Sequence, residues 1–383
     1  MTRIFKILFP LLLALVLIWG VTTLGKMVSS GGSYVPFTLY SEVVQDFASL
    51  DNSGSEGTQY YDYSGHQYTD SEFDSILPSF YFRQLVMDGR LPDTLLGRAI
   101  DAKMLERESF VFVSFPSVHN SHFTPLYFLI ESMSKRVDLE MPSDVFRFTD
   151  HGIEFVDMES NTIDHQKSQL FQSVFDAKGV AFPIQLVAGN ATLRKPYDNG
   201  HLLLDANNHL FQLKRVVGQP FLKPIPLPDG VVPTQLFVTE YPAKKYLGFV
   251  ADRDGGFYAI TLPDYQLQKA ELPQVDMRKD KMVIFGNPFY WTVSQTNSKG
   301  TQYTALDAHT LQAVKSRYFA KEEEPTFAYY CLPFQISVTK AETDSFVPYC
   351  HSFSPIGLVV WLLGIGAWIL VSVRRRKALP KSK

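Results

Sequence analysis

Hydrophobic positions fall into three regimes along the chain. Residues 7–25 (ILFPLLLALVLIWGVTTLG) carry no charge, and neither do residues 352–373 (SFSPIGLVVWLLGIGAWILVSV). A helix of about 20 such residues crosses the ~30 Å hydrocarbon layer, so both segments are predicted to span a membrane. Between them the apolar residues come as short runs broken by Gly, Asn, Asp and Pro. That is the pattern of strands joined by tight turns.

One phrase recurs in this middle portion. HLLLDANNHLFQL at 201–213 and LGFVADRDGGFYAI at 247–260 each consist of an apolar run, an Asp, turn residues and a second run. FRFTDHGIEFVD at 146–157 repeats it, YYDYSGHQYT at 60–69 opens the series and TQYTALDAHTLQAV at 301–314 closes it more loosely. Gly reaches positive φ without a Cβ clash, and Asp or Asn bonds its own backbone there, so each copy is predicted to be a hairpin. Asp150, Asp205, Asp252 and Asp307 are the predicted turn residues, spaced by 55, 47 and 55 positions. That period is near the size of one four-stranded propeller blade. Three to four units are expected, arranged as an incomplete propeller or as a sandwich of similar meanders.

Helix is expected in one place. Thr69 and Glu72 form a T-x-x-E capping box, and the helix it starts should run to about Gly89, with Pro78 bending it or dividing it in two. A second helical patch lies near 99–106. The fold class is therefore mainly β, propeller-like or sandwich-like, with a small helical element between two flanking transmembrane helices. The expected layout is a cytoplasmic start at 1–6, a span at 7–25, a linker and first hairpin at 26–69, and the helical element at 70–108. The repeated β domain follows at 109–330, a C-terminal strand and tether at 331–351, a span at 352–373 and a basic tail at 374–383.

Charge sets the expected orientation. Lys and Arg beside a span stay cytoplasmic, and Arg3 and Lys6 precede the first span while Arg374, Arg375, Arg376 and Lys377 follow the second. Both termini are thus expected to be cytoplasmic and residues 26–351 to lie across the membrane. A cleaved signal peptide is the competing reading of the first span. The apolar run is long for that purpose, and no A-x-A-like cleavage site follows in TTLGKMVSSGGS. Removing the eight terminal cations from the net charge of −3 leaves −11 for the middle portion, which disfavours nucleic acid as a partner.

Candidate chemistry is sparse. Cys331 and Cys350 are the two cysteines, and pairing them would close a loop of about 20 residues worth roughly 3 kcal/mol. DANNH and DRDGG resemble cation loops but lack the later Glu of a calcium site, so turn chemistry accounts for them. His119 and His122 have H-x-x-H spacing with no further ligand nearby, which reads as a surface loop. No P-loop, dinucleotide fingerprint, G-x-S-x-G or H-E-x-x-H occurs, and no catalytic, cofactor or metal residue is assigned. Asn190-Ala191-Thr192 has the form of a glycosylation sequon. The many Phe and Tyr residues are expected mostly in sheet packing.

FDSILPSFYFRQLVMDGRLPDTLLG, DVFRFTDHGIEFVD, KPYDNGHLLLDANNHLFQLK and IFGNPFYWTV together resemble an uncharacterised family of bacterial inner-membrane proteins. Its members have a span at each end and a large extracytoplasmic domain of unknown function. The resemblance covers most of residues 70–315 and brings no catalytic residues. Members are often encoded beside ABC-type export permeases, so it implies a binding or scaffold module that accompanies a transporter. An extracytoplasmic hydrolase or carbohydrate-active enzyme is the alternative expectation.

Overall fold

In the computed structural model the described residues are 2–28, 35–52, 57–133, 136–321, 327–338 and 348–378. They form two compact units, one of residues 36–319 and one built from both ends of the chain.

The larger unit is made of antiparallel meanders. The first sheet holds strands Phe37–Tyr40, Phe47–Asp51, Gln59–Asp62 and Gln67–Tyr68 in sequence order. The second has three strands, Asp144–Phe148, Ile153–Asp157 and Thr162–Ile163, followed by the helix His165–Ala177. The third (Leu186–Gly189, His201–Leu204, Leu210–Val216, Gln219–Ile225) and the fourth (Pro233–Val238, Tyr246–Asp252, Phe257–Thr261, Leu267–Ala270) have four each. The fifth runs through Lys281–Gly286, Tyr290–Thr296, Gly300–Asp307 and Ala313–Ala320, and takes Phe110–Ser114 onto its Lys281–Gly286 edge. The region expected to be a linker and one hairpin therefore carries a complete four-stranded sheet.

Successive sheets share cores. Phe146, Phe155 and Phe175 of the second sheet and its helix pack with Leu203, Phe211 and Leu213 of the third. Leu202, Leu204 and Leu210 pack with Leu247, Val250 and Ile260 of the fourth. Phe249, Phe257 and Ala259 pack with Ile284, Trp291 and Val293 of the fifth. The fifth meets the first, where the Tyr40 amide donates to Thr292 Oγ1 at 2.9 Å and the rings of Phe37 and Phe285 lie edge to face at 5.4 Å. This explains the unbroken apolar runs of the repeated phrase. His201–Leu204 and Tyr246–Asp252 are buried at every position, because each of their sheets has a neighbour on both faces. The edge strand Ala313–Ala320 is nearly all exposed and carries Lys315 and Arg317, charges that discourage further strand pairing.

The predicted capping box forms: Thr69 Oγ1 accepts from the Glu72 amide, and Glu72 Oε2 accepts from the Thr69 amide at 2.9 Å. The helix it starts, Asp70–Ile76, stops before Pro78, and a second, Phe82–Met87, follows. Ala102–Glu108 is a third, with Asp101 as its N-cap.

The smaller unit contains helix Thr2–Val28, helix Phe327–Cys331, the hairpin of Gln335–Ser337 and Tyr349–His351, and helix Pro355–Ala378. Ile18, Ala328 and Leu332 form its core, with Val21, Phe334, Ile336 and Trp361 against them. Among the described residues no helix is long and apolar enough to cross a membrane. The side chains of Arg3, Lys6, Arg375, Arg376 and Lys377 lie outside the described residues, and Arg374 is exposed. The candidate disulfide partners Cys331 and Cys350 are both free. Cys331 ends a short helix and is half-buried, whereas Cys350 is exposed on the hairpin opposite Ile336.

Candidate functional site

The turn between the first two strands is built against the usual rule. Ser41 closes it, its hydroxyl accepting from the amides of Val43 and Val44 and its own amide bonding the Asp46 carbonyl. Gln45 takes positive φ to complete the bend. The turn points Val43 and Val44 outward, at 50% and 36% exposure, and turns Glu42 inward at 2%. An acid inside and two valines outside is costly unless the acid has work to do.

Glu42 lies in the wall of a cavity of about 300 Å³, at the lower end of the ~300–1,000 Å³ range of small-molecule sites. Leu39, Leu77, Phe80, Phe110, Val111 and Phe285 supply most of the apolar lining. Phe110 can lie there because residue 286, opposite it across the strand pair, is glycine; a Cβ at that position would run into the Phe110 ring. Arg83 and Glu106 also line the cavity, but both are largely exposed and bonded to each other at 3.1 Å.

One oxygen of Glu42 is held and the other is open. Oε1 accepts from Asn287 Nδ2 at 2.7 Å. The amide of Asn287 is itself oriented, since its Oδ1 accepts from the backbone of Phe289 and Tyr290, each at 2.8 Å. Oε2 has no hydrogen-bond partner, and neither has the buried hydroxyl of Ser79 or of Ser109, which line the same cavity. Burial pushes the Glu42 carboxyl up to about 7. Ser79 pulls the other way, though its hydroxyl makes no well-formed hydrogen bond. A carboxyl that exchanges its proton near neutrality can bind a cation or move a proton.

A second buried polar cluster is closed instead of open. Lys195 Nζ, 2% exposed, donates to the Asn190 carbonyl at 2.6 Å, Asp198 Oδ1 at 2.7 Å and Glu240 Oε1 at 2.8 Å. Asp198 Oδ2 accepts from Ser132 Oγ and the Gly200 amide, and Glu240 Oε2 accepts from Asn190 Nδ2. These contacts occupy all three ammonium donors and both carboxylates, so the cluster ties the third and fourth sheets together. The Asn190 amide of the sequon is committed to Glu240 and is not a free acceptor for a glycan.

The repeated Asp residues have turn duties. Asp205 Oδ1 accepts from the amides of Asn207 and His209, and Asp252 Oδ1 from those of Asp254 and Gly256. Asp307 Oδ1 does the same for His309 and Thr310. Asp252 Oδ2 takes the Tyr258 hydroxyl at 2.9 Å. At the remaining copy Thr149 supplies the turn oxygen to His151 and Gly152, and Asp150 stands exposed beside it. Among the described residues no group of three or more His, Cys, Asp or Glu is placed to hold a metal. His119 bonds Ser114 across 2.7 Å. Sequence reasoning passed over Glu42, Ser79 and Ser109. Two adjacent valines in a turn mark the segment as unusual, without saying which way Glu42 faces.

These features define a mainly β body of stacked antiparallel meanders with one apolar, acid-bearing cavity. The chain belongs to the family described as a domain of unknown function (DUF4857), which matches residues 37–306. No curated protein matches it. Among solved structures it is similar to hydrazine synthase of Kuenenia stuttgartiensis, at 14% identity and TM-score 0.26, over 48% of this chain and 47% of that one. It is also similar to PorZ, a surface component of the type-IX secretion system of Porphyromonas gingivalis, at 11% identity and TM-score 0.24, over 76% of this chain and 32% of that one. A third likeness is to the WD40 domain of SCAP from fission yeast, at 9% identity and TM-score 0.31, over 81% and 79%. The chain thus spans about half the length of the first of these and a third of the second.

Proposed function

We propose that this protein is a membrane-anchored binding module whose propeller-like body lies outside the cytoplasm and accompanies an ABC-type permease. The observation that carries the binding reading is the open oxygen of Glu42 in an apolar cavity, a fully buried acid whose other oxygen is already held by Asn287. Leaving a buried acceptor unmatched costs about 1–3 kcal/mol, a cost that a bound partner would remove. The uncharged runs at 7–25 and 352–373 and their basic flanks support two anchors with both termini inside. The shared cores of five successive sheets support the propeller-like arrangement. The transporter association rests on the family resemblance.

Affinity purification from gently solubilised membranes tests the association. Recovery of an ATPase with its permease is expected, and recovery of this chain alone would remove the transporter from the proposal.

A hydrolase is the second reading, favoured by two carboxyls, Glu42 and Glu106, on one cavity. A glycosidase needs one acid held protonated near neutrality beside a second carboxylate. Hydrolysis of aryl glycosides by the full-length protein, lost in both Glu42→Gln and Glu106→Gln, would establish it. Inactivity across the common hexosides and pentosides would remove it.

A further inference from the structure

Glu42, Ser79 and Ser109 line one apolar cavity, and each carries a buried side-chain oxygen without a hydrogen-bond partner: Glu42 Oε2, Ser79 Oγ and Ser109 Oγ. Inside the cavity no cation answers the acid, because Arg83 is at the exposed rim and already bonded to Glu106. The carboxylate accepts only and the two hydroxyls can turn to accept, so a group with three donors and one positive charge would satisfy all three. A primary ammonium is that group, having three N–H and no acceptor. This chain already builds such a cage for itself, since the Lys195 ammonium is enclosed by three oxygens at 2.6–2.8 Å.

We propose that the Glu42 cavity binds a small primary ammonium ion with an aromatic or branched apolar body, its –NH₃⁺ received by Glu42, Ser79 and Ser109. The proposal rests on the binding-module reading and names the ligand class for it. Two other classes fit less well. A neutral alcohol would satisfy one oxygen and leave the acid without a counter-charge. A carboxylate would meet Glu42 with no cation inside to balance it. The net charge of −11 over residues 26–351 favours the same sign of ligand, because an acidic surface concentrates cations before they bind. Phe80, Phe82 and Phe110 in the lining supply surface for the apolar body, and an aromatic face also attracts a cation.

The test uses the full-length protein in nanodiscs at pH 8, with empty nanodiscs as the blank and isothermal titration calorimetry as the readout. Three probes share one carbon skeleton: 2-phenylethylamine, 2-phenylethanol and phenylacetate. The amine is expected to bind, the alcohol and the acid at least tenfold more weakly, and Glu42→Gln is expected to remove the difference. Binding of the alcohol or the acid as tight as that of the amine would overturn the ammonium class while the binding reading stood. Failure of all three to bind would overturn both. If Glu42→Gln does not fold, the comparison of probes on the unaltered protein decides the matter alone, with Ser79→Ala as the milder variant, expected to weaken the amine more than the alcohol.

Discussion

Asn287 Nδ2 donates to Glu42 Oε1 at 2.7 Å across 245 residues of chain, joining the turn of the first sheet to a turn of the fifth. The contact holds one oxygen of a buried acid and leaves the other free. Asn287→Ala removes the donor without removing the acid, which is the expensive way to break a buried pair. It should cost about 1–3 kcal/mol in urea unfolding. Asn287→Asp should cost more above pH 7, where two carboxylates would face each other. Equal stability of both variants and the parent would show that Asn287 does not hold Glu42 in solution.

Glu42 and His201 should oppose one another in the pH dependence of stability. Burial raises Glu42 from 4.5 to about 7, so its contribution is complete below pH 4.5 and lost as pH rises through 7. Burial lowers His201 from 6.5 to about 4, so its contribution is complete above pH 6.5 and lost as pH falls through 4. Each shift corresponds to roughly 3 kcal/mol. The two slopes nearly cancel between pH 4.5 and 6.5. Glu42→Gln should therefore expose a stability that rises with pH in that window, and His201→Gln one that falls, both read from urea midpoints at constant ionic strength. Parallel profiles for both variants would contradict the assignment.

Amine binding should carry the same proton. Tyr40, Arg83, Glu106 and, from the adjoining strand, Tyr290 are the titratable groups around Glu42. Burial pushes Tyr40 up to about 12 and raises Tyr290. Affinity for 2-phenylethylamine should fall about tenfold from pH 8 to pH 6 as Glu42 takes up its proton. A flat profile would place the ammonium elsewhere.

Lys195→Met should be among the most damaging single changes. It would leave the side chains of Asp198 and Glu240, 3% and 1% exposed, without their cation, a situation that typically costs about 3–5 kcal/mol. Adding Glu240→Gln to it should recover part of the loss, measured as a coupling energy in a double-mutant cycle.

Gly286→Ala tests the cavity by shape alone. The added methyl meets the Phe110 ring, so Phe110 must move toward the space Glu42 faces. Amine binding should drop by about tenfold or more, the energy of a modest steric misfit.

If the chain is anchored as proposed, neutral residues at Arg374, Arg375, Arg376 and Lys377 should loosen the orientation of its C-terminal segment, seen as mixed labelling of a cysteine placed after Lys383. An unchanged single orientation would show that the first anchor sets the topology.

Local chemistry was legible in the sequence wherever a few neighbouring residues settle the outcome. The capping box of Thr69 and Glu72, the break at Pro78 and the Asx turns of Asp205, Asp252 and Asp307 each involve contacts between close neighbours in the chain, and the residue types alone dictate them. The mainly β class followed from the apolar runs and their turns. The number of sheets did not, because the first sheet's strands are short and its last two, Gln59–Asp62 and Gln67–Tyr68, look like an isolated hairpin. Nor did the recruitment of Phe110–Ser114 by the distant strand Lys281–Gly286, since pairing so far along the chain leaves no local mark. The Glu42 site belongs to the same category. Nothing in Ser-Glu-Val-Val says that the acid faces inward. Only the packing of the first sheet on the fifth brings Asn287, Ser79 and Phe110 around it, and burial alone, a property of that packing, makes an ordinary glutamate an acid poised near neutrality.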